Sequence, residues 1–285
     1  MIVVVGSLNL DFVATVEQLP NAGETVLSSS LLRVDGGKGG NQAVAAARLG
    51  ADVAFVGAVG ADDDDGDLVQ SLVSEGIDVS AVSVIESEVS GVAWVTVDSS
   101  GRNTIIVSQG ANRQLVLNDL ARDLLAQANV VLLQLEIPLA TVAESADIAT
   151  GVVILNAAPA AAVPADVLEH INIVIVNEEE RTMLESSGTL GENTVVVATL
   201  GHRGSSVTID GSAHHIDAPN VSVVDTTGAG DTFCGAFAQA IDRGRGTVDA
   251  AEWATVAGSI ATTRLGARTA MPSADEVYRL LAETS

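Results

Sequence analysis

Asp225 and Asp231 bracket the stretch "DTTGAGD", and the residues that follow, "DTFCGAFAQAI", carry apolar side chains at helical spacing. Gly228 and Gly230 permit a tight backbone where the helix should begin. The free N–H groups of a helix start carry partial positive charge and would stabilise a developing anion. A carboxylate beside those amides is out of place in a pure anion hole. Asp231 is therefore either the N-cap of the helix or an acid placed to accept a proton from an incoming hydroxyl.

A second glycine-rich stretch, "DGGKGGN" from Asp35 to Asn41, holds the only lysine of the chain, Lys38, just before an Ala-rich helical segment. A phosphate-binding P-loop would need Ser or Thr directly after the lysine, and Gly39 stands there. The stretch is either a flexible turn or a row of amides meeting a polar ligand at a helix N-terminus. "TGAGDTF" is likewise no dinucleotide fingerprint, because Phe233 occupies the position of the third glycine and the stretch lies late in the chain. That counts against an NAD-dependent dehydrogenase. Asn9 and Asp11 in "GSLNLD", and Asn177 and Glu180 in "VNEEE", each follow an apolar strand-like run. Singly they are turn formers or a solvated helix start. Together they fall at the carboxyl edge of a sheet, where open α/β folds bind ligands. Asn and Asp can bond a polyol, and an Asn–Glu pair near phosphates suits magnesium held largely through water.

The elements that must position these residues are legible as runs rich in Val and Ile, such as "IVVVG", "VAFVGAVG", "NVVLLQL", "VVILN", "INIVIVN" and "TVVVATLG". They are continuous rather than alternating and separated by helical segments, the mark of a parallel sheet buried on both faces. The expected fold is a three-layer α/β/α sandwich in one domain over residues 1–285. Residues about 10–35 and 88–108 alternate instead, with turns such as "DSSGRN", and predict a small inserted sheet. The segment from Asp231 to Leu281 reads as mostly helical. The formal charge of −24 disfavours nucleic acid and anionic membranes as partners. No basic leader and no apolar run of spanning length is present, so a cytoplasmic protein is expected. The lone Cys234 excludes an internal disulfide and a Cys-based zinc site. His214 and His215 read as surface residues, and acidic runs such as "ADDDDGD" as solvated faces, with salt adaptation as the rival explanation.

With these pieces placed, the chain resembles the ribokinase-like family of sugar and nucleoside kinases from Val3 to about Pro272. The resemblance rests on "VVVGSLNLD", "PNAGETV", "GGKGGNQAVAAARLGA", "SGVAWVTVDSSGRNTI", "GAN", "LLQLEIP", "NAAPA", "VNEEE", "TLGHRG" and "DTTGAGDTFCGAFAQAI". It implies the sandwich, with the small sheet as a lid over a sugar and a homodimer interface. It implies transfer of the γ-phosphoryl group of ATP to the 5-hydroxyl of ribose. Asp231 matches the catalytic base, and Gly228, Ala229 and Gly230 the anion hole. Asn9, Asp11, Gly37, Lys38, Asn41 and Glu136 match sugar contacts. Asn177 and Glu180 match a magnesium and phosphate motif, with Thr199 and Gly201 where nucleotide binds. Asp225, Thr227 and the carbonyls of Ala261, Arg264 and Gly266 match a monovalent cation site that holds potassium in the family.

Two departures stand out. Ala270 lies where serine is common beside that cation, which puts potassium dependence in question, and "LESSGTLGENTVVV" is short where the family has an extra helix. The polar groups at Asn9, Asp11, Lys38 and Glu136 suit a small polyhydroxylated ring. The inserted segments offer only Phe12 and Trp94 to stack on a base, so a free sugar is preferred over a nucleoside or pseudouridine. Deoxyribose and fructose are the neighbouring alternatives. A non-catalytic sugar sensor is the rival of another class, and it would have no use for a base at Asp231.

Overall fold

A computed structural model describes residues 1–62, 67–186 and 194–284. Residues 187–193 of the segment "LESSGTLGENTVVV" lie outside them. Eight strands form the central sheet, in the order β14 (Ser212–Ile216), β13 (Ser205–Ile209), β12 (Val195–Thr199), β11 (Ile173–Asn177), β10 (Val152–Asn156), β9 (Val130–Leu133), β1 (Ile2–Val5) and β4 (Val53–Val56). All pairings from β12 to β4 are parallel. Alternate residues of each strand enter opposite cores, as a sheet covered on both faces requires. Ile2 and Val4 pack with side chains of α1 (Lys38–Arg48), α2 (Asp67–Ser74), α7 (Ala229–Asp242), α8 (Thr247–Ala261) and α9 (Ala274–Thr284). Val3 and Val5 pack with side chains of α3 (Asp119–Gln127), α4 (Leu139–Ile148), α5 (Ala165–Leu168) and α6 (Glu178–Ser186).

The run "TVVVATLG" is followed by an antiparallel hairpin rather than a helix. Its turn places Asp210 and Gly211 at φ 50° and 74°. Both are left-handed, as a tight two-residue turn of the Asp-Gly kind demands. "VAFVGAVG" divides between β4 and β5 (Ala58–Gly60), and β5 pairs with β6 (Ser83–Ile85) in a separate ribbon.

A second sheet has the order β3 (Ser30–Gly36), β2 (Asn9–Thr15), β7 (Gly91–Val97) and β8 (Asn103–Ser108). Its register sets Asp11 opposite Val34 and Ala93, and Phe12 opposite Trp94. Since side chains alternate along a strand, Asn9 and Asp11 share one face and the Phe12–Trp94 pair occupies the other. Those two rings stack, with centroids 4.7 Å apart.

One contact in the helical layer bears directly on the site. Helix α7 crosses α1 at Gly235, where a Cβ would lie 2.4 Å from the carbonyl oxygen of Gln42 and 2.7 Å from the Cβ of Ala45. Glycine lets the two helices approach with the backbone of α7 against the backbone of α1 and the methyl group of Ala45. Gly235→Ala is expected to force them apart at a cost of about 1–3 kcal/mol, measured as a lower urea midpoint.

Candidate active site

The first turns of α1 and α7 and the carboxyl ends of β1, β9 and β11 converge. Gly228, not Asp231, caps α7, and its φ of 73° is a conformation in which a side chain would be strained. Asp231 therefore sits in the first helical turn, and its carboxylate turns away from its own backbone. Asn41 Nδ2 donates to Asp231 Oδ2 at 3.0 Å, and Gln42 Nε2 donates to Oδ1 at 3.1 Å. The N-cap explanation of this residue falls with that geometry. "DGGKGGN" is not a flexible turn either, because α1 begins at Lys38 and Gly39 and Gly40 are already helical and buried.

Gln42 is buried and is itself oriented from behind. Gln134 Nε2 donates to Gln42 Oε1 at 2.8 Å, which forces the Gln42 amide nitrogen toward Asp231 and toward Asn156 Oδ1, 3.0 Å away. Glu136, two residues beyond Gln134, accepts from Ser7 Oγ at 2.5 Å and from the backbone amide of Lys38 at 3.0 Å. Asn9 Oδ1 accepts from Asn112 Nδ2 at 2.8 Å, and Asn112 also clamps the backbone of Leu8. Gln42, Gln134, Asn112, Asn156 and Ser7 are site residues that spacing does not reveal. Only the placement of "GAN" and "LQLE" beside strand ends points toward two of them.

Charge is concentrated here. Burial raises the Asp11 pKa to about 7, with the nearby Glu136 carboxylate adding to the effect. One of its buried oxygens, Oδ1, has no hydrogen-bond partner. Burial disfavours the Lys38 ammonium, but Asp231, Glu136 and Glu180 outweigh it and leave its pKa raised. Burial likewise raises Glu180, against the bond it accepts from the backbone of Asn177. An orphaned carboxylate oxygen and a lysine among carboxylates form a place for hydroxyl groups that both donate and accept.

Asn177 and Glu180 form a reciprocal capping box at the start of α6. The Asn177 amide donates to Glu180 Oε2 at 2.7 Å, and the Glu180 amide donates to Asn177 Oδ1 at 2.8 Å. Among the described residues no three His, Cys, Asp or Glu side chains gather to hold a metal directly. A magnesium ion beside Glu180 fits only as one that keeps most of its water and takes its other ligands from phosphate.

A cavity of about 680 Å³ opens beside the start of α7, lined by Thr199, Gly201, Ala229, Gly230, Phe233 and Ser259 among others. A Cβ on Gly230 would meet nothing within 4 Å, so the backbone of α7 faces open space there. On the other side of Gly228, Asp225 ties two loops together. Its Oδ1 accepts from the amide and hydroxyl of Thr227 at 2.9 and 2.7 Å, and its Oδ2 from the amide of Gly266 at 2.8 Å. Burial works against this carboxylate, yet the three donors hold its pKa below the usual value. Ala261 ends α8, Arg264 pairs with Glu276, and Ala270 is fully buried in a short turn that offers the loop only its backbone.

A carboxylate held between two carboxamides, beside a helix start that opens on a cavity, defines a site for moving an anionic group onto a hydroxyl. The chain matches the pfkB family carbohydrate kinase pattern over residues 1–274. It is 37% identical to the ribokinase of Bacillus subtilis over 98% of this chain and 99% of that protein. The structure of ribokinase from Thermotoga maritima superposes with a TM-score of 0.90 at 33% identity, covering 99% of both chains. That of Arabidopsis thaliana ribokinase complexed with ribose and ATP does so at 0.88 and 32%, covering 98% of each. The chain belongs to the pfkB family of carbohydrate kinases, and it is a phosphotransferase.

The raised pKa of Asp11 has a consequence for the free protein. A carboxyl whose pKa rises from 3.8 to about 7 on folding contributes least above pH 7, where it is charged in both states. The penalty fades as pH falls through 7 and is gone below the unfolded value. Asp11→Asn is therefore expected to melt higher than the parent at pH 8, with the difference closing toward pH 4. Equal melting curves at pH 8 would contradict the buried, unpartnered state of this carboxyl.

Proposed function

We propose that this chain phosphorylates D-ribose at the 5-hydroxyl with ATP, giving ribose 5-phosphate. The observation that carries the reading is Asp231, whose two oxygens are fixed by Asn41 and Gln42 beside the exposed backbone of Gly230. Relatives named ribokinase, one of them complexed with ribose and ATP, support the substrate pair.

In this reading the sugar lies against Asn9, Asp11, Gly37, Lys38, Asn41 and Glu136. Asp11 and Glu136 accept from its hydroxyls and Lys38 donates. Buried polar groups left unpaired cost about 1–3 kcal/mol each, so a sugar lacking a matching hydroxyl is discriminated against. ATP occupies the cavity with Thr199 and Gly201. Asp231 takes the proton of the 5-hydroxyl as the new O–P bond forms and the bond to the leaving ADP breaks. The amides from Gly228 to Asp231, including those of Ala229 and Gly230, stabilise charge on the phosphoryl group in flight. Magnesium, organised through water by Asn177 and Glu180, neutralises phosphate charge when bound.

Asp225 and Thr227, with the carbonyls of Ala261, Arg264 and Gly266, hold a monovalent cation, potassium by family likeness, that keeps the loop before α7 in shape. Ala270 brings no side-chain oxygen to that site. The small sheet closes over the sugar and pairs with a second copy, as its exposed Leu32, Val34, Ile105 and Val107 suggest. These side chains share the face of Asp11 by register. The rings of Phe12 and Trp94 lie on the opposite face, where they have no access to a nucleoside base. No helix among the described residues is long and apolar enough to cross a membrane, and we place the enzyme in the cytoplasm.

Asp231→Asn is expected to lower kcat by about 10²–10⁴-fold, the typical contribution of a positioned base, in an assay of ATP-dependent phosphorylation of ribose, deoxyribose, fructose and adenosine. Near-parental turnover by the variant would remove the base from Asp231. Replacing potassium by a bulky organic cation in the same assay is expected to reduce turnover, and an unchanged rate would remove the monovalent site. Sedimentation at micromolar concentration is expected to show a dimer.

A further inference from the structure

Arg268 belongs to none of the groups assigned above, yet it is built into the site from every side. Its side chain is only 10% exposed. Nε donates to Asn41 Oδ1 at 3.0 Å, Nη1 to Ser71 Oγ at 2.9 Å and Nη2 to the carbonyl of Gly36 at 3.0 Å. Its own carbonyl accepts from the Arg48 guanidinium. A Cβ on Gly40 would stand 2.5 Å from Arg268 Nη2, so glycine there leaves room for the guanidinium. Asp35 lies 3.9 Å from Nη1. The charges of Asp35, Asp11 and Asp231 all act on the arginine, as does that of Glu75.

The contact with Asn41 has a directional consequence. A carboxamide can turn either its oxygen or its nitrogen to a neighbour, and those two orientations differ completely in what they offer a carboxylate. Guanidinium only donates, so Asn41 must present Oδ1 to Arg268. Its amino group is thereby turned to Asp231 Oδ2, 3.0 Å away. Gln134 does the same for Gln42 on the other oxygen, through a neutral amide. Without Arg268, the Asn41 amide would lose the anchor on its oxygen and keep only its bond to the carboxylate, which alone does not fix its position.

We infer that Arg268 is a positioning residue for phosphoryl transfer: by fixing the Asn41 carboxamide it holds Asp231 where it meets the sugar hydroxyl. The inference rests on the reading of Asp231 as the base. Arg268 touches no reacting atom in this scheme, and its effect runs through Asn41.

The test is a double-mutant cycle on the full chain with Arg268→Met, which keeps a long apolar stem and removes every donor, and Asn41→Ala. Each variant is assayed for kcat at saturating ribose and for the KM of ATP, with urea midpoints to verify folding. Arg268→Met is expected to lower kcat by up to about 10²-fold, the scale of a small misplacement of a reacting group, with the KM of ATP unchanged. The double variant is expected to be no slower than Asn41→Ala alone. Losses that multiply, or an unchanged kcat in Arg268→Met, would overturn the inference. If the Met variant does not fold, Arg268→Lys takes its place in the cycle. It keeps the charge and one donor, and must show partial loss and the same non-additivity. A parent protein that phosphorylates no sugar, or an active Asp231→Asn, would sink the underlying reading, whereas an active parent with a multiplicative cycle sinks only the role of Arg268.

Discussion

Much of the site depends on how closely α1 lies against α7. The carboxylate of Asp231 belongs to one helix and the two carboxamides that hold it belong to the other, so the distance between the helices is also the distance between the carboxylate and its support. Gly235 sets that distance, because the carbonyl of Gln42 occupies the space a side chain would need. A charge taken out of water without partners is costly. Here each oxygen of Asp231 has one fixed donor, and each oxygen keeps a lone pair for a proton. Neutral carboxamides fix the orientation of the carboxylate without bringing a second charge against it.

The start of α1 also gathers charges around the proposed sugar position. Asp11, Glu136, Asp231 and Asp35 face Lys38 and Arg268, so acids outnumber bases in a partly buried volume. Such an arrangement leaves one carboxyl easily protonated, and Asp11, the one with an unpartnered oxygen, is that carboxyl. In the proposed function, sugar hydroxyls would relieve the shortage of donors, and sugar binding would then be coupled to the ionisation of Asp11, since a hydroxyl that donates to the carboxylate favours its charged form.

How much of this can be read from the sequence divides along a physical line. The central strands are legible because burial on both faces leaves unbroken runs of Val, Ile and Leu, as in "IVVV" and "VVLL". The ligand edge is legible too, since strands of one direction end on one side, and Asn9, Glu136, Asn177 and Asp231 all come after apolar runs. The hairpin of β13 and β14 was signalled by Asp210-Gly211, a turn signal that the regular strand–helix rhythm obscures. The helical state of Gly39 and Gly40 runs against their propensity, and it goes with the close packing of α1 on Gly6, Ser7, Leu8 and Arg268, which no local pattern encodes. Gln42, Gln134 and Arg268 escape for a related reason. Their roles come from bonds spanning Gln42–Asp231, Gln134–Gln42 and Arg268–Asn41, contacts that exist only once four separate segments have folded together.

The small sheet shows how one face serves polar and apolar partners at once. Strand alternation puts Asn9 and Asp11 on the face that also carries Val34, Leu32 and Ile105. Near Gly36 and Gly91, where β2 begins just after β1 of the central sheet, that face is polar and buried. Further out it is apolar and exposed, with Leu32 at 57% and Ile105 at 54%. A sheet covering only a small polar ligand would have no need of that outer apolar band, and leaving it in water is unfavourable. In the dimer proposed above, a second copy would cover that band and brace the strand that carries Asp11, so that the order of the proposed sugar site would depend on a contact well away from it.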